Sequence, residues 1–149
     1  MLTDFIEIKN IFDNPEEIVL LSKLQSFVQR QGHYHNKDGN VYFGGIRSKS
    51  LTDINSELEK QLFEKIFVKC MEQRFVSDIT KVRYQFRYNL TSYFHIMREE
   101  DKYNDGWLHK DEKSLLAGVI YLNPNPKPNT GTIVYVDGEK RIIENEYNK

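Results

Sequence analysis

The amino-acid sequence predicts an α+β protein in which two helices brace one face of a mainly antiparallel sheet. In the first half, apolar residues recur every three to four positions along two stretches, which is the period of an amphipathic helix. After Asp78 the period changes to two, which is typical of strands. An Asp-Gly pair between two apolar runs later in the chain indicates a hairpin.

The first half of the chain is expected to contain one short strand and two helices. Residues 5–12 (FIEIKNIF) alternate apolar and polar side chains, which predicts a half-buried strand. Asn14 can cap the helix that follows, Pro15 suits its first position, and Gly32 is expected to end it. A second helix is expected from Leu51 to about Phe75 because its apolar residues keep a spacing of four. The faces that the two helices should bury comprise Ile18, Leu21, Leu24, Gln25 and Val28 in the first, and Ile54, Leu58, Leu62, Ile66 and Cys70 in the second.

Apart from the second helix, the chain after residue 31 is expected to consist of loops and strands. Residues 32–48, which precede the second helix, are rich in Gly, Asn and Asp and indicate a loop with a brief edge strand at Val41 to Phe43. Alternation from Val82 to Tyr88 gives one aromatic and one polar face, and TSYFHIMR continues in strand character. Residues 115–122 (LLAGVIYL) are apolar on both faces and predict a strand covered from both sides. GTIVYV and DGEKRII then form the hairpin.

Composition limits the classes of function that this chain can have. With 149 residues, 39% hydrophobic and 29% charged, the sequence predicts one folded domain spanning residues 1–149. Its formal net charge of -1 does not favour nucleic acid or an anionic membrane as a partner. The apolar stretches are too short to cross a bilayer and the N-terminus lacks the pattern of a secretory signal, so a cytoplasmic setting is expected. The single cysteine, Cys70, excludes an internal disulfide and is expected to be a packed thiol.

His109 and Asp111 are candidate metal ligands just ahead of the apolar strand. In a strand, side chains two apart point to the same face, so both groups can reach one ion. With one more imidazole they would form the facial triad that holds Fe(II) in non-haem oxygenases. On spacing alone, a solvated pair at a surface strand end is the simpler interpretation.

The surrounding sequence resembles the Fe(II)- and 2-oxoglutarate-dependent dioxygenase superfamily. The resemblance lies in the order Trp107, Leu108, HKD at positions 109–111, an apolar strand ending in YLNP, and Gly131-Thr132 at the start of another strand. The chain looks most like the prolyl-hydroxylase-like branch found in phage and marine bacterial genomes. NIFDNPEEIVLLSKLQSF and YFGGIRS are similar to the opening segment of those proteins, so the resemblance runs from about Ile6 to Val136.

The resemblance implies a double-stranded β-helix, or jelly-roll, with iron at its mouth. His109 and Asp111 match the first two Fe(II) ligands of the family. Tyr121 falls where related hydroxylases place a tyrosine that reaches the far carboxylate of 2-oxoglutarate, although packing with the hydroxyl in water is the alternative for this residue. The implied activity is hydroxylation of a peptide side chain or a small molecule, coupled to conversion of 2-oxoglutarate to succinate and CO2. The setting would be the host cytoplasm if the protein is phage-encoded.

The chain departs from the family pattern after the Gly-Thr strand. The family has a second His on a later strand, followed by a basic residue that pairs with the distal carboxylate. No histidine follows His109, and Arg141 lies too close to Gly131-Thr132 to match that basic residue. The expectation is therefore a jelly-roll that is incomplete at its C-terminus, with the third ligand and the closing strands missing and with weak activity of the chain alone.

The other histidines do not supply a convincing third ligand. His95 shares a predicted strand face with Tyr93 and Met97, but burial with a hydrogen bond is the simpler interpretation. His33 and His35 form a His-x-His that is a second possible metal pair, but they lie in a Gly- and Asn-rich stretch, where exposure to solvent is expected. Two other classes of function stay open: a non-catalytic jelly-roll binding module, and a phage structural or assembly protein.

Overall fold

The computed structural model describes residues 5–28, 31–35, 41–42, 45–72, 90–98 and 117–149, with the backbone alone for 31–35, 41–42 and 71–72. These residues form two helices and six strands, and the strands pair as three two-stranded antiparallel sheets. The elements are α1 (Pro15–Lys23), β1 (Gln31–His35), β2 (Val41–Tyr42), β3 (Ile46–Ser50), α2 (Leu51–Glu72), β4 (Tyr93–Ile96), β5 (Thr132–Val136) and β6 (Glu139–Ile143). Helices and antiparallel pairs were both expected, whereas pairs of strands do not define a jelly-roll, which stays a prediction.

The chain divides into two compact units. The first unit comprises Met1–Leu20, Lys60–Leu90 and Val119–Lys149, and the second comprises Leu21–Glu59 and Thr91–Gly118. Among the described residues of the first unit, the buried apolar side chains are Ile11, Phe12, Ile18, Leu62 and Cys70. In the second unit, Leu51 and Phe94 are buried together with two polar residues, Ser48 and Glu59. Among the described residues, neither helix has the length and apolar character needed to cross a bilayer.

α1 begins where the sequence predicted and ends earlier. It starts at Pro15, and the backbone N–H of Glu17 donates to the carbonyl of Asn14 at 3.2 Å. The predicted end at Gly32 is wrong, because the helix stops at Lys23. The side-chain amide of Gln25 donates to the carbonyl of Leu21 at 2.9 Å, which is the acceptor that the Gln25 backbone N–H would use in a continuing helix.

Because α1 ends early, the last apolar residues of its predicted buried face lie outside the helix. Leu24 is 82% exposed and Val28 is 56% exposed, so neither joins a buried face. Val28 instead forms an antiparallel bridge with Arg47, with backbone N–H to carbonyl distances of 3.0 and 2.9 Å. Only the N-terminal part of the predicted face is confirmed, since Ile18 is buried.

α2 confirms the predicted second helix, with a kink that the sequence did not reveal. Ser50 caps the start, because its hydroxyl oxygen accepts from the backbone N–H of Asp53 at 3.4 Å. At Asn55 the backbone is extended (φ -160°, ψ 91°), and its side-chain oxygen accepts from the N–H of Leu58 at 3.0 Å. Asn55 therefore caps a second helical segment. In the predicted stripe, Leu62 and Cys70 are buried and Ile54, Leu58 and Ile66 are half-buried.

Two predicted strands are corrected where the structure describes them. Residues 5–12 form no regular strand, because Asn10 has a φ of 55° and this left-handed conformation breaks the alternation. Ile11 and Phe12 are consequently both buried. Of the predicted strand at 115–122, residues 117–122 are described and are not assigned to a strand, and Val119 is 62% exposed. The predicted strand from Val82 to Tyr88 lies outside the described residues.

The other strand predictions had mixed outcomes. The hairpin is confirmed: β5 and β6 pair in register around Asp137 and Gly138, whose φ values of 51° and 81° are those of a type I′ turn. β4 falls within the predicted TSYFHIMR strand, and β2 matches the predicted brief edge strand. β1 and β3 occupy parts of residues 32–48 that were expected to be loop.

Candidate functional site

The structure describes the residue predicted to bind the cosubstrate but does not describe the predicted metal ligands. His109 and Asp111 lie outside the described residues, so their common face stays a prediction. Tyr121 is described, in the first unit. Across the described ranges, which omit His109 and Asp111, no group of three or more His, Cys, Asp or Glu side chains is placed to share a metal ion.

The remaining histidines are located on strands. His95 lies on β4 opposite Arg47 of β3 and is exposed, so the expectation that it is buried was wrong. Phe94 points to the buried side of β4 instead, where its backbone N–H donates to the hydroxyl of Ser48 at 3.1 Å. His33 and His35 fall in β1 rather than in a loop, and only the backbone of β1 is described.

The hydroxyl groups of Tyr121 and Thr132 form the candidate site, named here the hydroxyl pair. The phenol oxygen of Tyr121 lies 2.5 Å from Oγ1 of Thr132, and either oxygen can donate. Both residues are half-buried. One hydroxyl donates to the other in this pair, so both can donate to a carboxylate only by giving up their mutual hydrogen bond; the exchange is favourable because hydrogen bonds to a charged acceptor are about twice as strong as neutral ones.

Gly131 permits the close strand approach that places Thr132. A Cβ atom at this position would lie 1.9 Å from the carbonyl oxygen of Ile143, far inside contact distance. Because residue 131 is glycine, the chain can pass Ile143 and enter β5 with Thr132 paired to Ile143. In the Gly-Thr motif, the close approach to Ile143 therefore requires glycine at position 131, and Thr132 supplies a hydroxyl group.

Backbone hydrogen bonds hold Tyr121 on both sides. Its N–H donates to the carbonyl of Lys149 at 2.8 Å, and its carbonyl accepts from the N–H of Asn148 at 2.7 Å. Tyr121 is therefore fixed at its peptide groups by residues 148–149 and at its hydroxyl by Thr132. The two contacts together define the direction of the phenol ring.

Asn148 ties residues 148–149 to the N-terminal segment of the first unit. It is 5% exposed and has a left-handed backbone, with a φ of 60°. Its Oδ1 accepts from the N–H of Phe12 at 2.9 Å, and its Nδ2 donates to the carbonyl of Phe12 at 2.8 Å. Its own carbonyl accepts from the N–H of Ile11 at 3.3 Å.

A chain of charged side chains surrounds this connection. Lys149 Nζ lies 2.6 Å from a carboxylate oxygen of Glu7 and 3.5 Å from one of Glu146, which also pairs with Lys9 at 2.9 Å. The hydrogen bond from Lys9 holds the pKa of the Glu146 carboxyl below its ordinary value of 4.5. The hydrogen bond to Glu7 holds the pKa of the Lys149 ammonium above its ordinary value of 10.5.

These shifts predict how stability depends on pH. The contribution of Glu146 is present above its ordinary pKa of 4.5 and is lost as the pH falls through the lowered pKa. The contribution of Lys149 is complete below 10.5 and is lost as the pH rises through the raised pKa. We expect Lys9→Met to have a lower free energy of unfolding than wild type at about pH 7 and to converge with it at the acid pH at which Glu146 is protonated in both proteins. Denaturant titrations at both values check this, with exposed Lys140→Met as the control; a difference that persists in acid contradicts it.

Cys70 behaves as the sequence predicted. It is 3% exposed, and burial raises the pKa of its thiol. The thiolate, which is the nucleophilic form, is therefore disfavoured. This environment supports the prediction of a packed thiol.

Comparisons of this chain with family models, with curated proteins and with solved structures find no match. The resemblance therefore depends on the residues of the sequence, and the geometry of the hydroxyl pair is an independent observation beside it. Thr132 had entered the sequence prediction only as part of a motif, and its hydroxyl was missed as a site group. Asn148 was missed altogether, since an asparagine in the polar stretch ENEYNK carries no sign of burial.

Proposed function

We propose that this chain is an Fe(II)- and 2-oxoglutarate-dependent oxygenase. In this proposal His109 and Asp111 hold the metal, and the hydroxyl pair of Tyr121 and Thr132, within the first unit, binds a carboxylate such as that of 2-oxoglutarate. An imidazole and a carboxylate with open positions beside them suit Fe(II) and lack the thiolates of structural zinc. When bound, the iron and 2-oxoglutarate would supply the oxidation of a C–H bond by dioxygen. The substrate class is a peptide side chain or a small molecule.

The observation that supports the proposal best is the hydroxyl pair itself. Tyr121 is the next-to-last residue of the apolar run in the motif and Thr132 is the second residue of its Gly-Thr, and their hydroxyl oxygens lie 2.5 Å apart. The half-buried position of both residues reduces competition from water, which strengthens a hydrogen bond to an anionic ligand. The chain's own residues would thus bind and orient the cosubstrate.

A non-catalytic binding module is the second candidate. The hydroxyl pair can bind a carboxylate whether or not a metal is present, so the same geometry fits a protein that binds an acid without converting it. Dependence on iron separates the two candidates. An oxygenase should bind 2-oxoglutarate more tightly with a ferrous ion or a redox-inert divalent substitute, because 2-oxoglutarate chelates such a metal.

Ligand-induced stabilisation tests the proposal. 2-Oxoglutarate at a hundred times its Kd should raise the free energy of unfolding by about 2.7 kcal/mol. Tyr121→Phe and Thr132→Val each remove one donor and should raise the Kd about tenfold, which corresponds to about 1.4 kcal/mol. Tyr135→Phe, a matched deletion at a tyrosine of β5 that is 51% exposed, should bind as wild type does.

2-Oxovalerate makes the test specific, because it replaces the distal carboxylate of 2-oxoglutarate by a methyl group. Its affinity should be unchanged in Tyr121→Phe and Thr132→Val. Equal losses for both ligands would show that the two variants damage the fold instead. No stabilisation of wild type by 2-oxoglutarate, with or without the metal, would remove the proposed function.

A further inference from the structure

We propose, on the basis of the function proposed above, that Asn148 is a positioning residue for Tyr121. In this role it makes no contact with the ligand. It acts through the backbone of Tyr121, whose carbonyl accepts the Asn148 N–H at 2.7 Å. The affinity of the hydroxyl pair for a carboxylate then depends on a side chain whose hydrogen bonds go to Phe12.

The side-chain amide of Asn148 bonds to the backbone of Phe12 as a neighbouring strand would. Its amide donates to the carbonyl of Phe12 at 2.8 Å and its amide oxygen accepts from the N–H of Phe12 at 2.9 Å, so it satisfies both polar groups of one buried residue. Asparagine is also among the few residues other than glycine that adopt a φ of 60° readily. Side-chain chemistry and backbone conformation therefore both favour asparagine at position 148.

Loss of that side chain should loosen Tyr121. Without it, the N–H and carbonyl of Phe12 lose these partners at a buried position, which destabilises the contact between the two segments. The backbone at residues 148–149 is then tied to the N-terminal segment only by the 3.3 Å hydrogen bond from the N–H of Ile11 and by the ion pair of Lys149 with Glu7. Tyr121 depends on that backbone at both of its peptide groups, with distances of 2.7 and 2.8 Å. A mobile Tyr121 backbone no longer keeps the phenol oxygen beside Thr132.

The experiment compares Asn148→Ala with wild type and with Asn125→Ala, which removes an exposed amide in the loop between Tyr121 and Thr132. The first readout is the ratio of the affinities for 2-oxoglutarate and 2-oxovalerate. We expect this ratio to fall about tenfold in Asn148→Ala, as for other residues that support a binding group, and to stay at the wild-type value in Asn125→Ala. An unchanged ratio, or equal losses for the two ligands, overturns the proposal.

The second readout does not depend on the ligand. Hydrogen exchange at the Tyr121 amide, which donates to Lys149, should lose its protection in Asn148→Ala and keep it in Asn125→Ala. If wild type does not bind 2-oxoglutarate, the proposed function fails, while this measurement still shows whether Asn148 holds Tyr121. Retained protection in Asn148→Ala overturns the positioning role whatever the ligand result.

Asn148→Asp keeps the experiment decisive if the alanine variant does not fold. An aspartate keeps the acceptor for the N–H of Phe12, and it turns the other oxygen, without a proton, toward the Phe12 carbonyl. Once protonated, that oxygen becomes a donor and the native pattern returns. Protection of the Tyr121 amide, relative to wild type at each pH, should therefore rise in this variant as the pH falls through the pKa of the new carboxyl. If the protection of the Tyr121 amide relative to wild type does not change with pH, the proposal is contradicted.

Discussion

Replacing Gly131 by alanine is expected to lower the free energy of unfolding by about 3 kcal/mol, at the upper end of the cost of overpacking. The reason is a collision between backbone and side chain, which no change of rotamer relieves. The new Cβ would stand 1.9 Å from the carbonyl oxygen and 2.9 Å from the carbonyl carbon of Ile143. Either β5 moves away from β6 or the pairing of Thr132 with Ile143 is lost. Both responses also separate Thr132 from Tyr121.

Two other glycines provide matched controls for the same change in composition. A Cβ at Gly118 would meet nothing within 4 Å, so Gly118→Ala should stay within about 0.5 kcal/mol of wild type. Gly138 is equally open but has a φ of 81°, so Gly138→Ala should cost about 1 kcal/mol for the left-handed backbone alone. In denaturant titrations, Gly131→Ala should be the most destabilised of the three variants, followed by Gly138→Ala and then by Gly118→Ala. If Gly131→Ala is no more destabilising than Gly138→Ala, the close approach to Ile143 is not present in solution.

Local chemistry predicted those features of the fold that neighbouring residues determine. Pro15 begins α1, and Asp137-Gly138 forms the hairpin turn, because each residue restricts or permits backbone angles by itself. The early end of α1 was not predictable from period, since the Gln25 side chain competes for a backbone acceptor and leaves the apolar spacing intact. Asn10 likewise interrupts an alternating pattern through its own backbone conformation.

The candidate site was predictable to a similar extent. Tyr121 was found through its place in a motif, but the motif could not show that its hydroxyl meets Thr132 eleven positions later. Asn148 reaches across 136 positions to Phe12, and its amide looks like any surface asparagine in the sequence. Long-range hydrogen bonds of this kind depend on which segments fold beside each other, and periodicity carries no information about that choice.

The hydroxyl pair and the HKD segment have different proposed roles, so the proposed metal ligands can be tested independently of the proposed cosubstrate site. His109→Ala removes one of the two proposed protein ligands and should abolish iron-dependent formation of succinate from 2-oxoglutarate. The expected loss exceeds about a hundredfold, because residues that only support metal ligands already change affinity or activity by ten to a hundredfold. Asp111→Asn should behave in the same way, since it removes the anionic ligand with little change of shape.

His95→Ala is the matched control for His109→Ala, because His95 is exposed on β4 in the second unit. It removes an imidazole from the chain and leaves both proposed ligands in the sequence, and turnover should stay at the wild-type rate. The affinity for 2-oxoglutarate, measured without metal, should be unchanged in His109→Ala because the hydroxyl pair is intact. Turnover that survives in both His109→Ala and Asp111→Asn would exclude this pair as the iron site. Loss of turnover together with retained binding of 2-oxoglutarate would instead assign the two groups their separate roles.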